Sequence, residues 1–337
     1  MAKVAINGLG RIGRAAFKII LETPALELVA VNDLVPADNL AYLLKYDTVY
    51  GRYDKVVEGD GDSLIVDGKR YKVFSQRDPA QLPWGDLGVD IVFECTGVFT
   101  QKEGLEKHLQ AGAKFVVLSA PAKSEGIGTV IHGVNKPEDE SVRMISCASC
   151  TTNSIAPVVE IMGRRIGIEK AIMTTIHAYT STQSIVDGPN KRFSRGRAGA
   201  ANFVPTSTGA AVATTKALPQ YEGKFDGVAV RGPVPIGSLS DIVFLTARKT
   251  TVEEVNRMFR EEAETERYKG ILGVTDDPIV SSDIIRDPRA AIIDLGMTRV
   301  VDGDLVKVMS WYDNEWGYTN QMIREALRVV EESNLAR

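Results

Sequence analysis

Cysteine and histidine are both scarce, with three of each in 337 residues. Three thiols cannot build a disulfide framework, so a reducing compartment is the default. His108, His132 and His177 stand apart without metal-ligand spacing, and the sole C-x-x-C, Cys147 with Cys150, has no second Cys pair. Zinc is therefore not expected, and no metal is assigned. Concentrated positive charge is missing too. The net charge is −4, and no run of Lys or Arg points to nucleic acid or an anionic membrane. No apolar run is long enough to span a bilayer, and Met1-Ala2-Lys3 leads straight into a β-prone segment. The expectation is a cytoplasmic protein without signal peptide, transit segment or membrane span. Repeats and low-complexity tracts are lacking. That leaves Ala178 to Ala201, rich in Ser, Gly and Arg, as the one long irregular stretch, and such loops are usually functional.

What is present is the composition of an ordinary globular protein, 44% hydrophobic and 25% charged, in a chain long enough for two domains. The first half opens with the β-prone run Lys3 to Asn7 and the turn Gly8-Leu9-Gly10-Arg11-Ile12-Gly13. A helical pattern through Ile12, Ala16, Ile19 and Ile20 follows, then the strand Leu26 to Asn32, ending in Asp33. Each part has a physical task in binding a dinucleotide. Gly8 permits the tight turn, Gly10 lets backbone approach a pyrophosphate, and Gly13 lets helix and strand pack closely. The pyrophosphate rests on the helix N-terminus, and Asp33, 20 positions after Gly13, accepts from an adenosine ribose. The alternative is a glycine-rich turn with no ligand. Asp33 is followed by Leu34-Val35-Pro36, with no basic residue before Lys45, so a 2′-phosphate would meet a carboxylate and no cation. That favours NAD over NADP.

Val89 to Glu94 and Lys114 to Ser119 read as further buried strands, with a helix from Lys102 to Ala111 between them. The alternation implies a mostly parallel, doubly wound Rossmann sheet. Thr96-Gly97 and Ser119-Ala120 would lie at strand C-terminal ends, where such sheets bind ligands. Arg77, in the turn Ser75 to Pro79, is a candidate for the adenine side, although a solvated loop Arg is the commoner case.

Cys150 lies in Ser146-Cys147-Ala148-Ser149-Cys150-Thr151-Thr152-Asn153, just before an apolar, helix-like run from Ile155 to Met162. Ser149 is a good N-cap, which puts Cys150 in the first helical turn, where the macrodipole favours a thiolate. Thr174-Thr175-Ile176-His177 reads as the end of a strand delivering an imidazole. One Cys and one distant His are the trace of covalent thiol catalysis. Two other readings stand beside this one. Cys150 could be a small buried hydrophobe, or Cys147 and Cys150 a redox pair, although a thioredoxin-like setting is missing. Cys95 reads as an ordinary buried strand residue.

Beyond the Cys150 helix the pattern changes. Lys170 to Ile176, Gly227 to Val230, Ser240 to Arg248 and Val306 to Trp311 read as strands, some alternating in polarity, and Asp302-Gly303 is a hairpin signal. Thr251 to Tyr268 reads as a long amphipathic helix with Val252, Val255 and Phe259 inward, and Glu315 to Glu332 as a C-terminal helix. The second domain is therefore α+β with a mostly antiparallel sheet. Thr151, Thr180, Thr206-Ser207-Thr208-Gly209, Arg195, Arg197 and Arg231 recur at loop or strand ends. As a group they suit a phosphorylated substrate.

Cys147-Ala148-Ser149-Cys150-Thr151-Thr152-Asn153 resembles the active-site signature of phosphorylating glyceraldehyde-3-phosphate dehydrogenases. The likeness extends through Ala5 to Arg14, Leu43 to Asp47, Thr175 to Thr180, Pro205 to Ala211 and Trp311 to Tyr318. It implies a thiohemiacetal on Cys150, with His177 promoting the thiolate and then acting as base while hydride leaves to NAD. Inorganic phosphate would then cleave the thioester, turning D-glyceraldehyde 3-phosphate into 1,3-bisphosphoglycerate. The Cys150 N–H and protonated His177 would hold the oxyanion. By the same resemblance Thr180 and Arg231 hold the substrate's phosphate. Ser149, Thr151, Thr208 and Gly209 hold the attacking phosphate, with Arg195 near. Arg11, Ile12, Asp33, Arg77 and Ser119 bind adenosine and pyrophosphate, and Asn314 binds the nicotinamide carboxamide.

The resemblance further implies a homotetramer, with the Ala178 to Ala201 loop beside a neighbour's cofactor. It implies an NAD-binding domain of residues 1–149 and 315–337 and a catalytic domain of 150–314. Leu34 and Gly188-Pro189 match the NAD-preferring pattern, whereas Asn190-Lys191-Arg192 adds positive charge where NADP would bring its extra phosphate. Two alternatives remain at this point. One is an erythrose-4-phosphate dehydrogenase, against which Thr180 and Thr208-Gly209 speak. The other is a binding protein on the same fold that has lost its chemistry.

Overall fold

Four neighbouring parallel strands, Lys69–Phe74, Leu26–Asn32, Ala2–Asn7 and Ile91–Glu94, form the middle of the first sheet. The computed structural model describes residues 1–137, 139 and 141–333; residues 138, 140 and 334–337, which the expected NAD-binding domain includes, lie outside the described residues. The chain folds as two units. One comprises Met1–Val130, Lys136–Ala148 and the chain from Met322 onward, the other Ile131–Asn135 and Ser149–Gln321. The division thus falls inside the helix Trp316–Glu332 rather than ahead of it. Gln321 explains why, since its side-chain amide donates to the carbonyls of Gly270 and Pro288 in the second unit. Arg267 likewise draws in Ile131–Asn135 by donating to the carbonyls of Gly133 and Val134.

In the first unit the sheet continues past Ile91–Glu94 with Phe115–Leu118, Met144–Ser146 and Gly128–Thr129, all parallel. Past Lys69–Phe74 the strands Ser63–Val66 and Val57–Asp60 add on antiparallel. Asp67 and Gly68, at φ 47° and 80°, make the two-residue hairpin turn that such a reversal requires. Strand interiors such as Val4, Ile6, Ile91, Val92, Val116 and Val117 are wholly buried. They read as continuous apolar runs because helices cover both faces of a parallel sheet. The doubly wound, mostly parallel sheet read from the sequence is the one observed.

The second unit is built on a sheet in the order Val204–Ser207, Phe225–Gly232, Ile168–Ala178, Ser238–Thr246, Leu305–Tyr312, Ala291–Asp294 and Leu272–Thr275. Antiparallel pairings predominate, as expected. Ile168–Ala178 and Phe225–Gly232, however, run parallel. The short strand Arg299–Val301 reverses into Leu305–Tyr312 through Asp302 and Gly303, both at positive φ. The helix Cys150–Arg165 packs on this sheet with Ile155, Ala156, Val158, Val159, Ile161 and Met162 buried.

The expected helix from Thr251 to Tyr268 stops at Ala263. The reason lies beyond it. The chain turns at Thr265 so that Tyr268 can bury its ring and donate to Glu160 Oε2 at 2.5 Å. Val255 and Phe259 are buried and Val252 half-buried. Cys95 also departs from expectation, lying just past the strand Ile91–Glu94 rather than within it, where burial pushes its thiol up to about 12.

Candidate active site

The first unit presents a glycine turn at the C-terminal end of its sheet. Gly8 has φ 94°, and a Cβ there would lie 2.8 Å from the Thr96 backbone nitrogen. A Cβ on Gly13 would come within 1.9 Å of the Gly8 carbonyl oxygen, so helix Arg11–Leu21 can approach the strand only without one. Gly10 caps that helix and faces open space. Gly8 and Gly13 thus serve turn and packing, and the open space at Gly10 is compatible with a pyrophosphate at the helix N-terminus.

Asp33 is half-buried; Oδ2 accepts from Leu9 N at 2.7 Å and Oδ1 from Val35 N at 3.0 Å, which aims the carboxylate across the turn. Arg11 pairs with Asp47, Ile12 is half-buried beside it, and Arg77 is exposed in its turn. Ser119 follows the strand Phe115–Leu118, its N–H on the Glu94 carbonyl at 3.0 Å.

In the second unit Ser149 caps the Cys150 helix, accepting from Thr152 N at 3.1 Å, and Cys150 is the first helical residue. Such a cap stabilises a helix by about 1 kcal/mol. Sheet register supplies the other groups. His177 on Ile168–Ala178 pairs directly with Arg231 on Phe225–Gly232. Cys150 Sγ lies 3.3 Å from His177 Nε2, and Arg231 Nη1 lies 2.5 Å from His177 Nδ1 and 3.0 Å from the Ala178 carbonyl. Thiol, imidazole and guanidinium are thus in contact in that order.

The electrostatics add burial to the pull of the helix terminus. Burial raises the Cys150 thiol above its ordinary value, although Arg231 and the first-turn N–H groups pull it down. Burial, and then the Arg231 charge, depress His177 to about 3. The helix terminus thus pulls the thiol toward ionisation while burial pulls it the other way. A neutral imidazole faces a thiol, ready to take its proton but ill-suited to carry one while Arg231 stays unneutralised.

The other anion-binding candidates are distributed unevenly. Arg195 Nε donates to Thr206 Oγ1 at 3.0 Å, and Thr180 Oγ1 meets Thr182 Oγ1 at 2.9 Å. Thr208 Oγ1 accepts from Ala210 N at 3.2 Å, and Gly209 caps the helix Ala210–Ala217. Thr151 is turned inward, its hydroxyl 2.8 Å from Tyr312 Oη. Arg197 pairs with Asp187. Arg231 Nε is buried without a partner, an unmet donor that a phosphate would satisfy. Asn314 Oδ1 accepts from Gly237 N at 3.2 Å and Ser238 Oγ at 3.0 Å, so its orientation is fixed and Nδ2 is left to donate.

Residues 2–102 match the model of the glyceraldehyde 3-phosphate dehydrogenase NAD-binding domain, and residues 149–314 that of the C-terminal domain. The chain belongs to the glyceraldehyde-3-phosphate dehydrogenase family. It is 51% identical over 324 residues to glyceraldehyde-3-phosphate dehydrogenase 2 of Streptomyces avermitilis, covering 95% of this chain and 96% of that one. It is 52% identical to the Thermotoga maritima enzyme, covering 96% and 97%, and 47% identical to glyceraldehyde-3-phosphate dehydrogenase 1 of Bacillus subtilis, covering 98% of each. Within this family framework the chain is an NAD-dependent oxidoreductase. Two residues of the site escape sequence reasoning. Tyr312 bridges Thr151 and Thr175 through its hydroxyl and packs edge-to-face with His177, ring centroids 5.9 Å apart, and Ser238 links Asn314 to the Ala178 N–H. Tyr312 had a signal in the Trp311-to-Asn314 motif; Ser238 had none.

Proposed function

We propose that the chain oxidises D-glyceraldehyde 3-phosphate and phosphorylates the product with inorganic phosphate, giving 1,3-bisphosphoglycerate. The observation that carries this reading is the 3.3 Å approach of Cys150 Sγ to His177 Nε2 beside Arg231. His177 takes the Cys150 proton as sulfur attacks the aldehyde carbon, and the thiohemiacetal oxygen points to the Cys150 N–H. Thr180 and Arg231 hold the substrate's phosphate. Its charge offsets Arg231, which lets His177 accept a proton more easily. The chemistry NAD supplies when bound is that of a hydride acceptor. Gly8, Gly10, Gly13, Arg11, Ile12, Asp33, Arg77 and Ser119 would hold its adenosine and pyrophosphate, and Asn314 Nδ2 its carboxamide. Inorganic phosphate, held by Ser149, Thr151, Thr208, Gly209 and Arg195, then cleaves the thioester. Asp33 followed by Leu34 supports NAD over NADP.

Two further parts of the reading concern setting. Among the described residues no helix is long and apolar enough to cross a membrane, and the cytoplasm is the proposed location. Homotetramer assembly is supported by exposed apolar side chains. Ile172, Ile176 and Val228 cluster on the outer face of the second sheet, and Phe193 in the long loop is 90% exposed.

The test is nicotinamide reduction with glyceraldehyde 3-phosphate, with NAD or NADP, with and without phosphate. Phosphate-dependent turnover favouring NAD is expected, falling by about 10⁴-fold or more in Cys150→Ala. Turnover indifferent to phosphate would sink the phosphorylating step. Light scattering on the same preparation should return the mass of four chains; a monomer would refute assembly.

A further inference from the structure

Beneath the glycine turn of the first unit lies a buried polar network that no step above uses. Glu94, Asn7 and His108 are essentially inaccessible to solvent. Glu94 Oε2 accepts from Asn7 Nδ2 at 2.6 Å and lies 3.0 Å from His108 Nε2. The tautomer of His108 follows from its other side. Trp84 Nε1–H donates to His108 Nδ1 at 3.0 Å, so the ring proton belongs on Nε2 and points at Glu94. Glu94 Oε1 accepts from the Thr96 N–H at 2.8 Å and from the Thr96 hydroxyl. Four donors converge on one side chain, which suits an acceptor-only carboxylate.

The same network reaches sideways. Asn7 Oδ1 accepts from Asn32 Nδ2 at 2.7 Å, and Asn32 bonds the Gln76 backbone in both directions, at 2.8 and 2.9 Å. The C-terminal ends of four adjacent parallel strands are thus stitched together by side chains. Those ends carry Gly8, Asp33, Arg77 and Thr96. Thr96 is also the wall against which Gly8 packs. Burying this much polarity is an inefficient route to stability, since an apolar filling would avoid the desolvation. It is an effective way to fix loop shape at a ligand-binding edge.

We propose that Glu94 is a positioning residue for the dinucleotide site: fixed from below by His108 and Asn7, it holds Thr96, and through Thr96 the Gly8 turn, in the shape that receives the cofactor. The inference rests on the reading that this turn binds NAD. Calorimetric titration of wild-type protein with NAD tests that reading, and the ratio of variant to wild-type affinity tests the proposal.

Glu94→Gln keeps the shape but turns an amide NH2 toward the Asn7 and His108 donors, or toward Thr96. NAD binding should weaken about tenfold, while kcat at saturating NAD and iodoacetamide labelling of Cys150 without NAD stay within about twofold. Trp84→Phe removes the far donor without touching Glu94. It should lower Tm and leave NAD affinity within about twofold. Unchanged affinity in Glu94→Gln overturns the proposal, as does a loss in Trp84→Phe as large as in Glu94→Gln, because the effect would then follow stability alone. Should Glu94→Gln fail to fold, Thr96→Val deletes the upper hydroxyl, and about threefold weaker NAD binding is expected; unaltered binding overturns the proposal.

Discussion

The two candidate sites are built on opposite principles. The dinucleotide end of the first unit is made of backbone, with a glycine turn, a helix terminus and strand ends whose supporting side chains bond one another. The thiol site of the second unit is made of side chains with unspent capacity. Its buried Arg231 Nε is unmet, its thiol is held above its ordinary value, and its imidazole is depressed to about 3. On the proposed reading the first is finished before its ligand arrives, whereas the second would be completed by its ligand. A phosphate on Arg231 would satisfy the orphan donor and relax the pressure on His177 in one event.

The largest effect that can break this contrast is in the second unit. His177→Asn removes the proton acceptor while keeping a polar group at the strand end, and kcat should fall by about 10³-fold. NAD affinity, measured by calorimetry, should be unchanged, because among the described residues His177 makes no bond to the glycine turn or to Asp33. A comparable loss of NAD affinity would show that the two sites are not separable in this way.

The converse variant is Gly13→Ala. The added Cβ would need the Gly8 carbonyl, 1.9 Å away, to move. A backbone displacement there should cost about 3 kcal/mol of stability and weaken NAD binding, as read by urea unfolding and calorimetry. Iodoacetamide labelling of Cys150 in the absence of NAD should keep its wild-type rate. If labelling slows as binding weakens, the backbone-built end also governs the thiol.

The contrast also explains what could be read in advance. Gly8, Gly13 and Asp33 could be placed in one turn by local spacing, because that turn is local backbone geometry. The Ser149 cap and the buried Ile155-to-Met162 face were legible for the same reason. The His177–Arg231 contact was not. It joins residues 54 apart through parallel register inside a mostly antiparallel sheet, and no local pattern encodes register. The direction of the Cys150 shift was hidden because a cap and a dipole can be read from sequence, whereas the burial that outweighs them cannot. The Glu94–His108 contact was hidden too. Glu94 reads as the polar end of a strand and His108 as an isolated helix residue until the fold brings them to 3.0 Å.

The smallest expected effect sharpens the comparison through pH. His177 is depressed from 6.5 to about 3 in the folded chain. Above pH 6.5 both folded and unfolded forms carry it neutral, and it contributes no pH dependence. As pH falls below 6.5 the unfolded chain gains a proton that the folded chain refuses until about 3, so wild-type stability declines across that window. At pH 5 the decline from this group is about 2 kcal/mol. His177→Asn should lack that share, so its urea-unfolding free energy should drop less than wild type between pH 7.5 and 5, at one fixed protein concentration. After burial, Arg231 is the next cause of the depression, and saturating inorganic phosphate should therefore shrink the wild-type decline in part. An equal decline in both proteins would mean that His177 titrates normally, and that the second site, like the first, is complete before its ligand binds.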